Sequence, residues 1–189
     1  SCAVIGAGFI GLEMAENLAE QGIHVSVVEG ASHVMPPIDM DMAHQVHNYI
    51  RSKGIRLYLG QICTAMDEDG VILKNGDKVQ ADMVILSIGV RPDTAFLKNS
   101  GIALGTRGEI LVNNYMETSQ PDVYALGDAV SVRHVVSGEA VLIPLASPAN
   151  KQGRIVGDNL CGRKRRYEGS QGTSIMKFFD LTVAVTGEK

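Results

Sequence analysis

The stretch that most restricts what this chain can fold into is Gly6-Ala7-Gly8-Phe9-Ile10-Gly11. Its three glycines follow the short apolar run Cys2–Ile5 directly and lead into a segment of helical period. Leu12, Ala15, Leu18 and Ala19 share one face of that segment, so the spacing predicts a helix over residues 11–21 closed by Gly22. His24–Val28 is a second apolar, β-branched run of the kind buried in parallel sheets. Strand, glycine turn, helix and strand form a βαβ unit of about thirty residues. An α/β fold built on a parallel sheet is the expectation.

Each glycine has its own task in such a loop. Gly6 permits the tight turn out of the first strand, Gly8 lets a pyrophosphate approach the backbone, and Gly11 lets the helix pack close to the strand. Phe9 and Ile10 complete the loop and join the three glycines as candidate cofactor-binding residues. The phosphates would lie at the helix N-terminus, where free N–H groups and the dipole favour anions. Glu29 stands at the end of the second strand, 18 residues after Gly11, near the expected spacing of about 20. A carboxylate there accepts hydrogen bonds from ribose 2′- and 3′-hydroxyls and repels a 2′-phosphate. Gly30-Ala31-Ser32-His33 offers no Arg or Lys to neutralise one. NAD(H) is therefore expected over NADP(H), and small-molecule dinucleotides are the expected partners.

Pro36-Pro37 breaks the chain. Asp39 or Asp41 is placed to cap a second helix to about Ser52, with Met42, Val46, Tyr49 and Ile50 inward. Ile55–Leu59 predicts a third strand. Three short strands near residues 62–66, 71–73 and 78–80 are divided by the hairpin dipeptides Asp69-Gly70 and Asn75-Gly76, an antiparallel meander. Met83–Ile88 reads as the next buried parallel strand. Turn residues follow, and a domain boundary is expected near residue 108. Ile110–Val112 and Val123–Leu126 predict strands, the latter running into Gly127-Asp128. A helix from about Pro148 carries Ile155, Val156 and Leu160 inward and stops at Gly162, and residues 174–186 look like strand again.

The remaining features exclude more than they assign. The net charge is −4, and the run Arg163-Lys164-Arg165-Arg166 reads as a solvated stretch at a helix end, so no nucleic-acid partner is expected. No apolar stretch approaches a membrane span. Cys2, Cys63 and Cys161 are widely spaced and odd in number, which fits structural, buried cysteines in a reducing, cytoplasmic setting. His44 and His47 read as surface histidines without the further ligands a metal needs, and Ser147 lacks a nucleophile elbow. The chain opens inside a strand, as expected of a piece of a longer protein.

GAGFIGLEMAENL, the meander before MVILSIGVRP, TSQPDVYALGDAV and IPLASPANKQGR together resemble the pyridine nucleotide-disulfide oxidoreductases, a family of FAD enzymes. VMPPIDMDMA and GTSIMKFFDLTVAVTG are most similar to its branch of coenzyme A-disulfide reductases, NADH oxidases and NADH peroxidases. The resemblance implies a Rossmann-like, three-layer NAD domain over residues 1–108. It implies the C-terminal part of an FAD-binding domain over 109–170 and the start of a dimerisation domain over 171–189. It implies that Gly127 and Asp128 serve the FAD ribityl chain, that Pro148 and Ala149 begin the helix facing the flavin, and that Gly89 lies against the nicotinamide end of NAD. Glu13 matches a glutamate that pairs with a lysine beside the flavin N5. That lysine, the first FAD glycine loop and the redox-active cysteine have no counterpart among these 189 residues. The implied activity is hydride transfer from NADH to FAD and onward to a disulfide, persulfide, peroxide or oxygen, in a homodimer. The isolated fragment is expected to be inactive. A stand-alone dinucleotide-binding module for sensing or scaffolding is the competing reading, and YALGDA argues against it.

Overall fold

A computed structural model describes residues 1–187; residues 188 and 189, the last of the expected segment 171–189, lie outside the described residues. The chain divides into two compact units, one formed by residues 1–89 with Ile175–Val185, the other by residues 90–174 with 186 and 187.

The first unit begins with β1 (Cys2–Ile5), α1 (Phe9–Glu20), β2 (Val25–Glu29), α2 (Met40–Ser52) and β3 (Arg56–Leu59). An antiparallel meander follows, β4 (Cys63–Asp67), β5 (Gly70–Leu73) and β6 (Lys78–Gln80), and then β7 (Met83–Leu86). The main sheet is parallel, in the order β3-β2-β1-β7, with Cys2 opposite both Val25 and Met83. Alternation along β1 makes three layers. Cys2 and Val4 face Leu12 and Ala15 of α1 and Ala43, Val46 and Ile50 of α2, while Ala3 and Ile5 face Val71, Leu73 and Val79 of the meander. Because both faces of β1 and β2 are covered, β1 is apolar throughout and β2 is broken only by buried Ser26 before Glu29 at its end.

The helical side carries a second cover. Strands β11 (Ser174–Phe178) and β12 (Leu181–Val185) pair as a hairpin that buries Met176 and Phe178 in the same core as α1 and α2. Its turn is pinned by side chains: Glu16 Oε1 accepts the Phe179 N–H at 2.7 Å and Tyr49 Oη accepts the Asp180 N–H at 3.1 Å. Lys53 lies over the Phe179 ring and 3.6 Å from the Asp180 carboxylate.

In the second unit, β8 (Ile110–Leu111), β9 (Val130–Arg133) and β10 (Ala140–Leu142) form a mixed sheet in the order β10-β9-β8. α3 (Ala146–Leu160) packs Val156 with Met116, Val130, Val132 and Tyr167.

Several expectations are corrected. Residues Val123–Leu126 form no strand; Tyr124 makes one bridge to Glu117, and the neighbouring bonds, Thr118 N–H to Val123 O and Ala125 N–H to Met116 O, satisfy the segment locally. Met42 and Leu160 point outward, 53% and 66% exposed, and Met83, Leu86 and Ile88 are exposed because β7 is the sheet's edge. α1 starts at Phe9, two residues before Gly11. Asp39 occupies the N-cap of α2 without a side-chain cap bond, and Asp41 instead accepts the Met42 N–H at 2.8 Å. Of the cysteines only Cys2 is buried; Cys63 is half-buried and Cys161 exposed.

Candidate dinucleotide site

The glycine loop joins β1 to α1 at the C-terminal end of the parallel sheet. Gly6 has φ +104°, and a Cβ there would run into the Ser87 carbonyl just past β7. Gly11 is tighter still: a Cβ would meet the Gly6 carbonyl oxygen and come within 2.6 Å of Ser87 Oγ. Ser87 Oγ bonds both the Ile5 and Gly6 carbonyls at 3.0 Å, closing the floor of the turn. At Gly8, the N-cap of α1, a Cβ would meet nothing within 4 Å. The space is open to a ligand. The helix end it faces has no side-chain cap and no acidic residue in its first turn. Free N–H groups, a positive dipole end and an accessible backbone make a donor set suited to a pyrophosphate.

Glu29 sits beside this loop, and both its oxygens are tied to it. Oε2 accepts the Ala7 N–H at 2.7 Å and Oε1 accepts the Ala31 N–H at 2.8 Å. Ala7 in turn accepts the Met35 N–H at 2.9 Å, Met35 itself having φ +51°. The carboxylate thus holds the glycine loop against residues 30–38 and keeps its remaining lone pairs for a hydroxyl ligand. Phe9 is half-buried against the core, whereas Ile10 is 55% exposed beside the open helix end. Glu13 is exposed on the next turn of α1, with no ion pair among the described residues. Gly89 is exposed at φ +103° with open space at its Cβ position.

The second unit brings its own candidates together. The Gly127 N–H donates to Gln152 Oε1 at 2.7 Å, and Gln152, on the second turn of α3, is 1% exposed. This bond ties the turn carrying exposed Asp128 to the start of α3. There Pro148 is buried at the third helical position, where its missing N–H costs no helical bond, and Ala149 is half-buried. The N-terminus of α3 has no side-chain cap. An exposed carboxylate and uncapped helix donors fit the hydroxyl chain and electron-rich ring edge of a flavin.

His47 is a correction. It is 3% exposed, and its Nε2 accepts the Val34 N–H at 3.1 Å. Burial pushes its pKa down, and the positive charge of Arg51 with His44 and His33 nearby pushes it the same way. Its spacing with Ala43, Val46 and Ile50 is that of a single buried helical stripe, the signal that identifies it. Ala7, Ala31 and Met35 act through main-chain atoms and carry no side-chain signal. No group of metal-ligating side chains forms, and no helix is long and apolar enough to cross a membrane, among the described residues.

A parallel sheet with a glycine turn at its carboxyl end, helices on one face and a meander on the other places the chain in the Rossmann-like α/β class. It belongs to the pyridine nucleotide-disulphide oxidoreductase family, whose model matches residues 1–153. It is 34% identical over 97% of its length to the NAD(P)H coenzyme A polysulfide/persulfide reductase of Pyrococcus horikoshii, and spans 42% of that protein. The crystal structure of reduced Bacillus anthracis CoADR-RHD is similar at 48% identity and a TM-score of 0.97, covering all of this chain and 34% of that one. The NAD-dependent persulfide reductase from A. fulgidus follows at 37% identity and a TM-score of 0.94, over 98% of this chain and 35% of its own. The chain therefore spans less than half the length of the relatives it matches.

Proposed function

We propose that this chain is the NADH-binding portion of an FAD-dependent oxidoreductase that passes hydride from NADH to the flavin and on to a disulfide or persulfide, or to oxygen or peroxide. The observation that carries the reading is the uncapped N-terminus of α1 behind open Gly8, next to a Glu29 carboxylate fixed on both oxygens. Helix donors bind the pyrophosphate and Glu29 binds the adenosine ribose, with no cation in residues 30–33 for a 2′-phosphate. Exposed Ile10 and Gly89 flank the nicotinamide end, and Glu13 helps orient it.

A bound flavin supplies the acceptance of hydride and the storage of two electrons. Asp128 would hold its ribityl hydroxyls and the N-terminus of α3, at Pro148 and Ala149, would favour negative charge on its ring. On this reading residues 1–108 serve NAD, 109–170 complete the flavin site and 171–189 begin a dimerisation domain of a homodimer. Buried Cys2 and the separated Cys63 and Cys161 form no dithiol, so these 189 residues alone bind NADH without reducing a disulfide.

Calorimetric titration with NADH and NADPH tests the site. NADH binds and NADPH binds far more weakly, while Glu29→Ala weakens NADH by roughly tenfold to a hundredfold, the worth of a charged hydrogen bond. Equal affinity for the two cofactors refutes the preference, and no binding of either refutes the site.

A further inference from the structure

Residues 30–38 are held in place by three ties. Two involve Glu29 and Ala7: the Glu29 carboxylate on the Ala7 and Ala31 amides, and the Met35 N–H on the Ala7 carbonyl. The third comes from a different element. His47, on α2, accepts the N–H of Val34, the residue just before Met35, on Nε2. Val34, Met35 and His47 are all buried, so no solvent replaces that bond if it is lost.

An imidazole accepts a hydrogen bond only while neutral; the protonated ring has two N–H donors and no acceptor. Protonation at Nε2 would set two donors head to head inside the core. His33 differs: its Nδ1 lies 2.8 Å from the Val34 carbonyl, where it donates, and a protonated His33 keeps that bond. The charged and titratable groups acting on His47 are Arg51 and His44 from its own helix and His33 from the loop; none is acidic.

We propose that His47 is a positioning residue for the dinucleotide site, its neutral ring latching Val34 to α2 beside the Met35–Ala7 tie to the glycine loop, so that cofactor affinity falls when the ring takes up a proton. The inference rests on the NADH-binding reading for its ligand. Its latch does not depend on any ligand.

The probe is ADP-ribose, which has the pyrophosphate and adenosine ribose without the acid-labile dihydronicotinamide. Its affinity for the natural chain is constant above about pH 6.5 and falls about five- to tenfold as the pH is lowered from there through the His47 titration followed on the Val34 amide, the loss of roughly one buried hydrogen bond. His47→Gln keeps an acceptor near the Nε2 position but does not titrate, and it binds with a flat profile. His33→Gln keeps the natural profile. In the unliganded natural chain, the Val34 amide resonance moves along the His47 titration. A flat profile in the natural chain, or the same fall in His47→Gln, overturns the proposal, as does a Val34 amide that does not move. Absence of ADP-ribose binding at about pH 7.5, with the Val34 amide still titrating, overturns the NADH-binding reading and the affinity claim together while upholding the latch.

Discussion

Glu29 has a structural duty separate from any ligand. Its two oxygens each accept a backbone N–H, and the groups lie in a partly buried corner. Glu29→Gln replaces one oxygen with an NH2 that opposes an N–H, so it is expected to destabilise the chain by about 1–3 kcal/mol without cofactor, read as a fall in urea midpoint. Tyr167 offers the opposite case. Its hydroxyl is buried without a hydrogen-bond partner among the described residues, so Tyr167→Phe removes an uncompensated desolvation cost and is expected to stabilise by up to about 1 kcal/mol in the same assay. His47 adds a pH dependence. Its folded pKa lies below the ordinary value, so the unfolded chain binds more protons as the solution turns acid. Its contribution is therefore full above about pH 6.5 and is lost as the pH falls from there through the folded value. Urea midpoints measured across that range should fall in acid, and fall less in His47→Gln.

Among the elements, the hairpin β11–β12 makes the most testable contribution. Phe178 is fully buried and stacks edge-on against Tyr49 and Phe179. Phe178→Ala should cost about 3–5 kcal/mol, measured by urea denaturation, because it opens a cavity between the hairpin and the two helices. The elements were legible in proportion to how purely local forces shape them. β1, β2 and the meander announce themselves through continuous apolar runs and Asp-Gly or Asn-Gly turns. Val123–Leu126 has the same composition but finds only one bridging partner, and composition does not report partners. The burial of His47 is explained by the Val34 amide, thirteen residues away in the loop before α2, and the local sequence does not report that partner. The glycine loop and Glu29 were legible from spacing, whereas the ties through Ala7, Ala31 and Met35 were not, since they use atoms every residue has.

At the scale of the molecule, the first unit is discontinuous in sequence. Residues 1–89 hold its sheet and helices, but 175–185 supply part of its core. A fragment ending at Gly89 lacks Met176 and Phe178 and exposes the apolar faces of α1 and α2 that they cover. It should bind a hydrophobic dye strongly and melt at a lower temperature than the whole chain; equal melting temperatures would show the hairpin to be dispensable. The pinching of Ala7 between the Glu29 carboxylate and the Met35 amide has a different reach. A mutational scan that swaps side chains would report at position 7 only the crowding of a fully buried alanine, for the traffic of the junction runs through peptide groups that every amino acid but proline supplies. Replacing the Met35 amide by an ester, which deletes one proton and no side chain, is the change to which this junction is sensitive.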